Sequence, residues 1–186
     1  FDGKDTIVNT AYDRSGQGNN GTLANGPVRT QGKIGQALTF DGVDDFVNVT
    51  DTTGGPLDIT SAITLSAWVN PRSIEPSSAQ DRVIAKTSAY NLMLSTNDGC
   101  TAGSGRDVVF EFLVSGVSQR ICEGSVPLNT WTHIVGRYDG VTMQIYVNGV
   151  LQLSFARTGN IDTNDNVLTI GNRSDAIRPF DGSIDA

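Results

Sequence analysis

The chain consists of short runs of β-forming residues separated by glycine, asparagine, aspartate and serine. No stretch of twelve residues keeps apolar side chains at the i, i+3, i+4, i+7 spacing of an amphipathic helix. Several runs alternate instead: between Ile63 and Val69, apolar residues occupy one face, and Thr64, Ser66 and Trp68 occupy the other. Such alternation is typical of antiparallel strands with one buried face. The predicted strands are Ala37–Phe40, Phe46–Thr50, Ile63–Asn70, Arg82–Lys86, Tyr90–Ser95, Val108–Val114, Gln119–Cys122, Trp131–Tyr138, Thr142–Val147, Val150–Phe155, Val167–Ile170 and Phe180–Ile184.

The spacing of these strands predicts how they are organised. Asn148-Gly149 stands between two of them and is typical of a tight hairpin, because a type I′ turn needs positive φ at both central residues. Many strands without helices favour an all-β jelly-roll sandwich of two antiparallel sheets. One domain over residues 1–186 is expected at this length. Residues Asp13–Val28 and Ile74–Ala79 are predicted as loops.

The charge balance excludes two classes of partner. The chain carries 13 Lys and Arg against 20 Asp and Glu, a formal net charge of −7. Such a chain is repelled by the phosphates of nucleic acids and by anionic lipid surfaces. No apolar run approaches the roughly 20 residues that a spanning helix requires. Neither nucleic acid nor a membrane is therefore expected as a partner.

The two cysteines, Cys100 and Cys122, flank a pair of predicted strands. They do not form a CxxC motif, and without histidine partners they make a poor metal site. A disulfide across the hairpin is predicted, with two unpaired thiols as the alternative. Such a disulfide would indicate maturation in an oxidising compartment.

An ordered series of motifs covers almost the whole chain. The motifs are Tyr12–Leu23, Gly32–Val47, Ile63–Val69 (Ile-Thr-Leu-Ser-Ala-Trp-Val), Trp131–Val135 (Trp-Thr-His-Ile-Val), Ile145–Gly149 (Ile-Tyr-Val-Asn-Gly), Ile170–Gly171 and Phe180–Asp185 (Phe-Asp-Gly-Ser-Ile-Asp). Together they resemble the laminin-G-like domains of the concanavalin A-like lectin/glucanase superfamily. The resemblance implies a jelly roll of two curved sheets. Such domains usually extend further at both termini, so both ends look clipped, and we expect the chain to be part of a larger extracellular or cell-surface protein.

Some members of that superfamily cleave polysaccharides, and their carboxylates can be sought in this sequence. Retaining glycosidases need two carboxylates about 5–5.5 Å apart. The hydrolases of this fold carry a Glu-x-Asp-x-(x)-Glu strand, which is missing here. The only glutamates are Glu75, Glu111 and Glu123, and Glu111 is the only acid in its predicted strand. His133, the only histidine, is expected to be structural, in or beside the core. No catalytic residue is therefore predicted.

Loops rich in Asp, Asn and Gly offer the oxygen ligands that calcium prefers. The resemblance implies one structural Ca²⁺, with Asp185 as a side-chain ligand, Gly42 as a carbonyl ligand, and Asp13 or Asn20 contributing. The segment Asp41–Asp45 also has a suitable composition. The alternative is that these residues only form turns, since Asp and Asn satisfy neighbouring backbone groups.

A sugar site needs a flat aromatic ring and planar polar groups. The strand alternation suggests a groove that contains Trp68, Asn91, Arg120 and Arg137, the alternative being an ordinary solvated sheet face. The predicted function is non-catalytic binding of a glycan or polysaccharide. An adhesive module that binds a host or cell-surface protein is the first alternative. A partial polysaccharide-degrading enzyme domain is the second.

Overall fold

Two antiparallel sheets form the fold in the computed structural model, which describes residues 6–73, 80–96 and 106–185. The strands are β1 (Thr6–Ile7), β2 (Thr10–Ala11), β3 (Gly21–Ala24), β4 (Val28–Gln31), β5 (Gln36–Asp41), β6 (Phe46–Val49), β7 (Ile63–Pro71), β8 (Gln80–Lys86), β9 (Tyr90–Ser95), β10 (Arg106–Val114), β11 (Val117–Val126), β12 (Thr132–Tyr138), β13 (Thr142–Val147), β14 (Val150–Ala156), β15 (Leu168–Ile170) and β16 (Asp181–Asp185). The predicted all-β jelly-roll sandwich is confirmed. No helix that could cross a membrane occurs in these three ranges.

The strand order shows how distant parts of the chain meet. The nine-stranded sheet has the order β1-β2-β3-β6-β15-β8-β9-β10-β11, and the seven-stranded sheet has the order β14-β13-β12-β7-β16-β5-β4. The last two strands are both internal: β15 lies between β6 and β8, and β16 lies between β5 and β7. Residues 171–180, which we call the crossover segment, therefore lead from one sheet to the other.

The core fills the space between the sheets. On β7, Ile63, Leu65, Ala67 and Val69 are buried, as their alternation predicts. They belong to the same apolar cluster as side chains from the nine-stranded sheet, such as Phe110. Complete burial of a valine, leucine, isoleucine or phenylalanine side chain contributes about 1.5–3 kcal/mol to the stability of the fold. Each sheet thus keeps one outer face, which we call the nine-strand face and the seven-strand face.

The hairpin prediction is confirmed, and one loop prediction is partly wrong. Asn148 and Gly149 have φ of 50° and 78°, and Val147 pairs with Val150 across the turn. Within the predicted loop Asp13–Val28, however, Gly21–Ala24 forms β3 against β6. Gly21 has a low strand propensity. A Cβ at this position would overlap Val47, so the close packing between the two strands requires glycine.

The predicted disulfide falls partly outside the described residues. Cys122 lies on β11, opposite Val109 of β10. Cys100 and the predicted loop Ile74–Ala79 lie outside the described ranges. The Cys100–Cys122 bond therefore stays a prediction.

Candidate functional site

The four residues of the predicted groove lie on two different sheets. Asn91 and Arg120 are on β9 and β11, in the nine-stranded sheet, whereas Trp68 and Arg137 are on β7 and β12, in the seven-stranded sheet. Alternation correctly predicts that all four point away from the core. It does not predict which sheet each strand joins, so the single groove is not formed.

Polar side chains form a row across the nine-strand face. Asn91 pairs with Glu111 on β10, and Glu111 pairs with Arg120 on β11. Side chains directly opposite each other on neighbouring strands have Cβ atoms about 5 Å apart. The Ser118 hydroxyl donates a hydrogen bond to Glu111 Oε1 at 2.6 Å. The strands thus place an amide, a carboxylate and a guanidinium group side by side.

Arg82 on β8 adds a nearly buried charge beside this row. Its side chain is 8% exposed, and its Nη1 lies 4.0 Å from Glu111 Oε2. Its Nη2 donates to Gln80 Oε1 at 3.0 Å. The pKa of Arg82 is lowered to about 10, first by burial and then by the charges of three neighbouring arginines, while the charge of Glu111 opposes the shift. Arg82 therefore remains a cation at neutral pH.

The crossover segment supplies two of those neighbours, Arg173 and Arg178. The buried Asn172 holds both, because its Oδ1 accepts hydrogen bonds from the backbone N–H of Arg173 at 2.8 Å and of Arg178 at 3.1 Å. The N–H of Arg82 donates to the carbonyl of Arg178 at 3.2 Å. The segment is thus tied to β8 by its backbone.

We call Arg82, Arg120, Arg173 and Arg178 the arginine cluster. All three other members act on the charge of Arg82, so the four groups share one electrostatic environment. Glu111 lies near Arg82, and Asp175 pairs with Arg173 and raises the pKa of that arginine through the hydrogen bond. Of the cluster, only Arg120 was anticipated from the sequence, because the others are brought in by β8 and by the crossover segment.

Acidic residues stand at the far end of the same strands. β10 begins at Arg106, earlier than predicted, so Asp107 shares the outer face with Glu111. Burial raises the pKa of Asp107, and the charge of Glu123 raises it further. Asp107 and Glu111 are four residues apart, about 13 Å along a strand. The sequence-based view of Glu111 as the only acid of its strand is therefore wrong, although this spacing exceeds that of glycosidase carboxylate pairs.

The seven-strand face is built around Trp68. The Trp68 and His133 rings lie 5.1 Å apart between centroids, and Lys33 Nζ lies 5.1 Å from the indole centroid. His133 Nε2 is 2.8 Å from the Ser66 hydroxyl. His133 thus lies on the outer face, where its alternation places it, and not in the core. Arg137 donates hydrogen bonds to Gln144 on β13 at 2.6 Å and to Asp139, just after the end of β12, at 3.0 Å.

Residues 41–186 match the sequence profile of the concanavalin A-like lectin/glucanases superfamily. The chain belongs to this superfamily. The matched residues include the whole arginine cluster. No curated protein matches the chain.

Solved structures share the fold at low sequence identity. Domain 4 of AbnA, an extracellular arabinanase of Geobacillus stearothermophilus, was solved with arabinotriose; it is 21% identical with a TM-score of 0.64, over 89% of this chain and 79% of that one. Mouse laminin α1 domains LG4-5 are 13% identical with a TM-score of 0.56, over 88% of this chain and 41% of that one. Tailspike protein 2 of an Escherichia coli bacteriophage is 13% identical with a TM-score of 0.56, over 87% of this chain and 24% of that one.

The calcium ligands expected from resemblance to the superfamily lie in three separate places. Asp13 accepts hydrogen bonds from Ser15 and other groups of its own loop, which lower its pKa, and Asn20 Oδ1 accepts from the N–H of Asp13. Gly42 packs against Asp181 at the start of β16, and Asp185 stands at its end, about 13 Å away along the strand. Asp185 Oδ2 accepts from the N–H of Ile34 at 2.7 Å. One ion cannot contact all four residues.

Three other carboxylates converge in the turn between β5 and β6. Oxygen atoms of Asp41, Asp44 and Asp45 lie within 4.8 Å of one another. Asp45 is nearly buried, and burial raises its pKa, with smaller contributions from the charges of Asp41 and Asp44. Among the described residues, this turn has the oxygen ligands that calcium prefers.

Proposed function

We propose that the chain is a non-catalytic carbohydrate-binding module of a secreted or cell-surface protein, and that a glycan binds on the nine-strand face. The observation that carries the proposal is the row formed by Asn91, Glu111 and Arg120, with Arg82 beside it. Amide, carboxylate and guanidinium groups offer donors and acceptors in fixed planes, which suit the hydroxyl groups of a sugar.

Similarity to solved domains supports a glycan as the ligand. Domain 4 of the extracellular arabinanase has this fold and was solved in complex with arabinotriose. Laminin α1 and the bacteriophage tailspike protein share the fold as well. Laminin and an extracellular arabinanase also support a location outside the cell.

The nine-strand face is preferred over the face around Trp68 for a physical reason. Sugars stack on open aromatic rings, but Lys33 lies over the Trp68 ring and His133 packs beside it. A sugar would have to displace the lysine and its cation–π contact, which contributes about 0.5–1 kcal/mol at an exposed site. On the nine-strand face, three neighbouring strands place polar groups side by side, and none of the aromatic or cation–π contacts found among the described residues involves these groups.

The absence of catalysis is part of the proposal. Glycosidase carboxylates stand about 5–9.5 Å apart, according to mechanism. Glu111 and Asp107 are farther apart than this along β10, so these two residues do not form such a pair. Incubation with polysaccharides should release no new reducing ends; their appearance at a rate that depends on Glu111 would contradict this part of the proposal.

An adhesive protein-binding module is the second candidate, and one observation favours it. Strand β14 is an edge strand of the seven-stranded sheet, and its apolar Val150, Leu151 and Phe155 are 62%, 47% and 46% exposed. Apolar groups on an exposed edge strand are a common site of pairing with another chain. Glycan binding that depends on Asn91 would favour the first candidate over this one.

Calorimetric titration with a panel of neutral and acidic polysaccharides tests the proposed site. We expect saturable binding of at least one polymer, lost in Asn91→Ala and kept in Trp68→Ala. Thermal melting of both variants checks that each is folded. Binding that is lost in Trp68→Ala and kept in Asn91→Ala would move the site to the seven-strand face and contradict the proposal.

The expected calcium ion remains a proposal, with Asp41, Asp44 and Asp45 as its ligands. A cation that binds only the native state raises the melting temperature. Added Ca²⁺ should therefore raise the melting temperature of chelator-treated protein, and Asp44→Asn should reduce that rise. An equal rise in wild type and variant, or none in either, would contradict this ligand set.

A further inference from the structure

A cleft of about 770 Å³ lies where β9 begins and β10 ends, and it is lined by Ser88, residues 113–116 and residues 159–164. We infer that this strand-end cleft binds sugar units that follow the one held by the row of polar side chains on the nine-strand face. The inference rests on the proposed function. It specifies the ligand as a linear oligosaccharide or polysaccharide that is bound over several units.

Leu113 joins the strand-end cleft to the row of polar side chains. It follows Glu111 by two residues on β10, so the two side chains leave the same face of the strand, opposite to the buried Phe112. The neighbour of Leu113 on β11 is Ser118, whose hydroxyl donates to Glu111. The backbone from Glu111 to Ser115 covers about 13 Å in an extended chain. A ligand that contacts both of these residues must therefore extend beyond a single sugar ring.

Hydrogen bonds of Asp162 fix one wall of the strand-end cleft. The N–H of Asp162 donates to the carbonyl of Leu113 at 2.8 Å. Its carboxylate accepts from the N–H groups of Ser115 and Gly116, at 2.8 and 2.7 Å. These bonds hold the turn between β10 and β11 against residues 159–164.

A second set of contacts holds the same segment against the end of β8. The side-chain N–H of Asn164 donates to the carbonyl of Thr87 at 3.0 Å, and its Oδ1 accepts from the Lys86 ammonium at 3.3 Å. Lys86 is completely buried and pairs with the buried Asp51 at 2.8 Å. The walls of the cleft are thus fixed before any ligand binds, which reduces the ordering cost of binding.

Several polar side chains of the cleft wall make no hydrogen bond to any residue that the structure describes. They are the side chains of Ser88, Ser115, Asn160 and Thr163, and all four residues are exposed. In the exposed loop of residues 13–20, by contrast, Asp13 and Asn20 bond to other groups of the loop. The strand-end cleft therefore presents hydroxyl and amide groups that can donate to and accept from sugar hydroxyls.

Two of these serines have a backbone conformation that is costly for a residue with a Cβ. Ser88 and Ser115 have φ of 63° and 52°, in the left-handed region that glycine adopts freely. The Asn148-Gly149 turn has nearly the same pair of φ values as Ser115-Gly116, but it carries asparagine, which such turns favour. A serine at this strained position is therefore explained better by its hydroxyl than by the turn.

The dependence of affinity on chain length tests the inference. Each polysaccharide that the wild-type chain binds is partly hydrolysed, and its fragments from the monosaccharide to the hexasaccharide are titrated calorimetrically. We expect affinity to rise about tenfold or more over this series, because the longer fragments reach the strand-end cleft. Equal affinity at all lengths would overturn the inference and leave the proposed function intact. Absence of binding to any polysaccharide would overturn the proposed function itself.

Ser115→Gly and Asn160→Ala each remove one polar group from the cleft wall. Each should weaken binding of the hexasaccharide about fivefold, as expected for the loss of one hydrogen bond, and leave the shortest fragment that binds unaffected. Ser115→Gly also relieves the left-handed strain, so its melting temperature should not fall. A loss of affinity in this variant then cannot come from a loss of stability. Asn91→Ala should weaken binding at every length.

Asn148→Gly is the matched control, because it makes the same change in the same kind of turn at the other end of β14. It should leave binding unchanged at every length. Unchanged hexasaccharide affinity in both cleft variants would overturn the inference. The same result follows if the cleft variants weaken short and long fragments equally, or if Asn148→Gly weakens the hexasaccharide as much as Ser115→Gly does. Thermal melting establishes that each variant is folded.

Discussion

Arginine side chains on the two outer faces of the sandwich differ in their burial and in the groups that surround them. On the seven-strand face, Arg137 is 41% exposed and pairs with Asp139, two residues away in sequence. On the nine-strand face, Arg82 is 8% exposed and faces Glu111 from a neighbouring part of the sheet, with three more arginines around it. Sequence composition does not distinguish these arginines. Burial and convergence from separate elements do, and they identify the nine-strand face as the better candidate site.

The largest expected effect comes from the glycine that begins the crossover segment. Gly171 has φ of +87°, and a Cβ there would overlap the buried Phe40 ring. Gly171→Ala should lower the free energy of unfolding by about 3 kcal/mol, from left-handed strain and overpacking combined. Because the segment carries Arg173 and Arg178, affinity for glycan should fall as well. Urea denaturation and calorimetric titration measure the two effects.

Gly149→Ala is the matched control on the seven-stranded sheet. Gly149 has φ of +78°, but a Cβ there would meet nothing within 4 Å. The substitution should lower the free energy of unfolding by only about 1 kcal/mol, from left-handed strain, and should leave glycan binding unchanged. Equal destabilisation by the two substitutions would show that packing against Phe40 does not constrain the crossover segment.

A smaller effect is expected from breaking one ion pair on each face. Glu111→Gln leaves the nearly buried Arg82 among like charges, and we expect a loss of about 1–3 kcal/mol, less than for a close buried pair because the atoms are 4.0 Å apart. Asp139→Asn breaks the exposed pair with Arg137, whose charges are screened by water, and should change the urea midpoint little. A larger decrease of the urea midpoint in Asp139→Asn than in Glu111→Gln would contradict the expected difference between the two ion pairs.

The smallest expected effect concerns pH. The pKa of Asp107 is raised by burial and by Glu123, so the folded state binds its proton more tightly than the unfolded chain does. The carboxylate therefore destabilises the fold above its raised pKa, and this cost disappears below the ordinary aspartate pKa of about 3.9. Asp107→Asn should raise the melting temperature at pH 7, and the gain should shrink toward pH 4.

On the seven-strand face, Asp139 has a pKa shift of the opposite sign. Its pKa is lowered, first by a hydrogen bond from the N–H of Val141 and then by Thr142 and Arg137. Its stabilising contribution is present above the ordinary aspartate pKa and is lost as the pH falls through the lowered value. Asp139→Asn should therefore lower the melting temperature at pH 7, not raise it. The same sign of change in both variants would contradict the contrast between the two faces.

Much of the fold follows from local patterns, whereas the site depends on long-range pairing. The alternation in Ile63–Val69 and the Asn148-Gly149 turn are local, and both are confirmed. The orientation of Asn91 and Trp68 away from the core also follows from alternation. Their separation onto different sheets does not, because strand order depends on contacts between residues far apart in sequence.

The residues that sequence reasoning missed have the same explanation. Arg82 lies in a predicted strand, but nothing local places it beside Glu111. Arg173 and Arg178 belong to an irregular segment whose position is fixed by the buried Asn172. Asp107 was missed because β10 begins earlier than its apolar residues indicate. A strand prediction that extends through charged residues next to an apolar run would have found it.

The internal positions of β15 and β16 have a consequence for the order in which the protein is made. Until residues 168–185 have left the ribosome, β6 and β8 in one sheet and β5 and β7 in the other lack the strand that lies between them. Neither sheet can be completed by a growing chain, and the unpaired edges are exposed to pairing with other nascent chains. Folding of this sandwich must therefore wait until residues 168–185 have been synthesised.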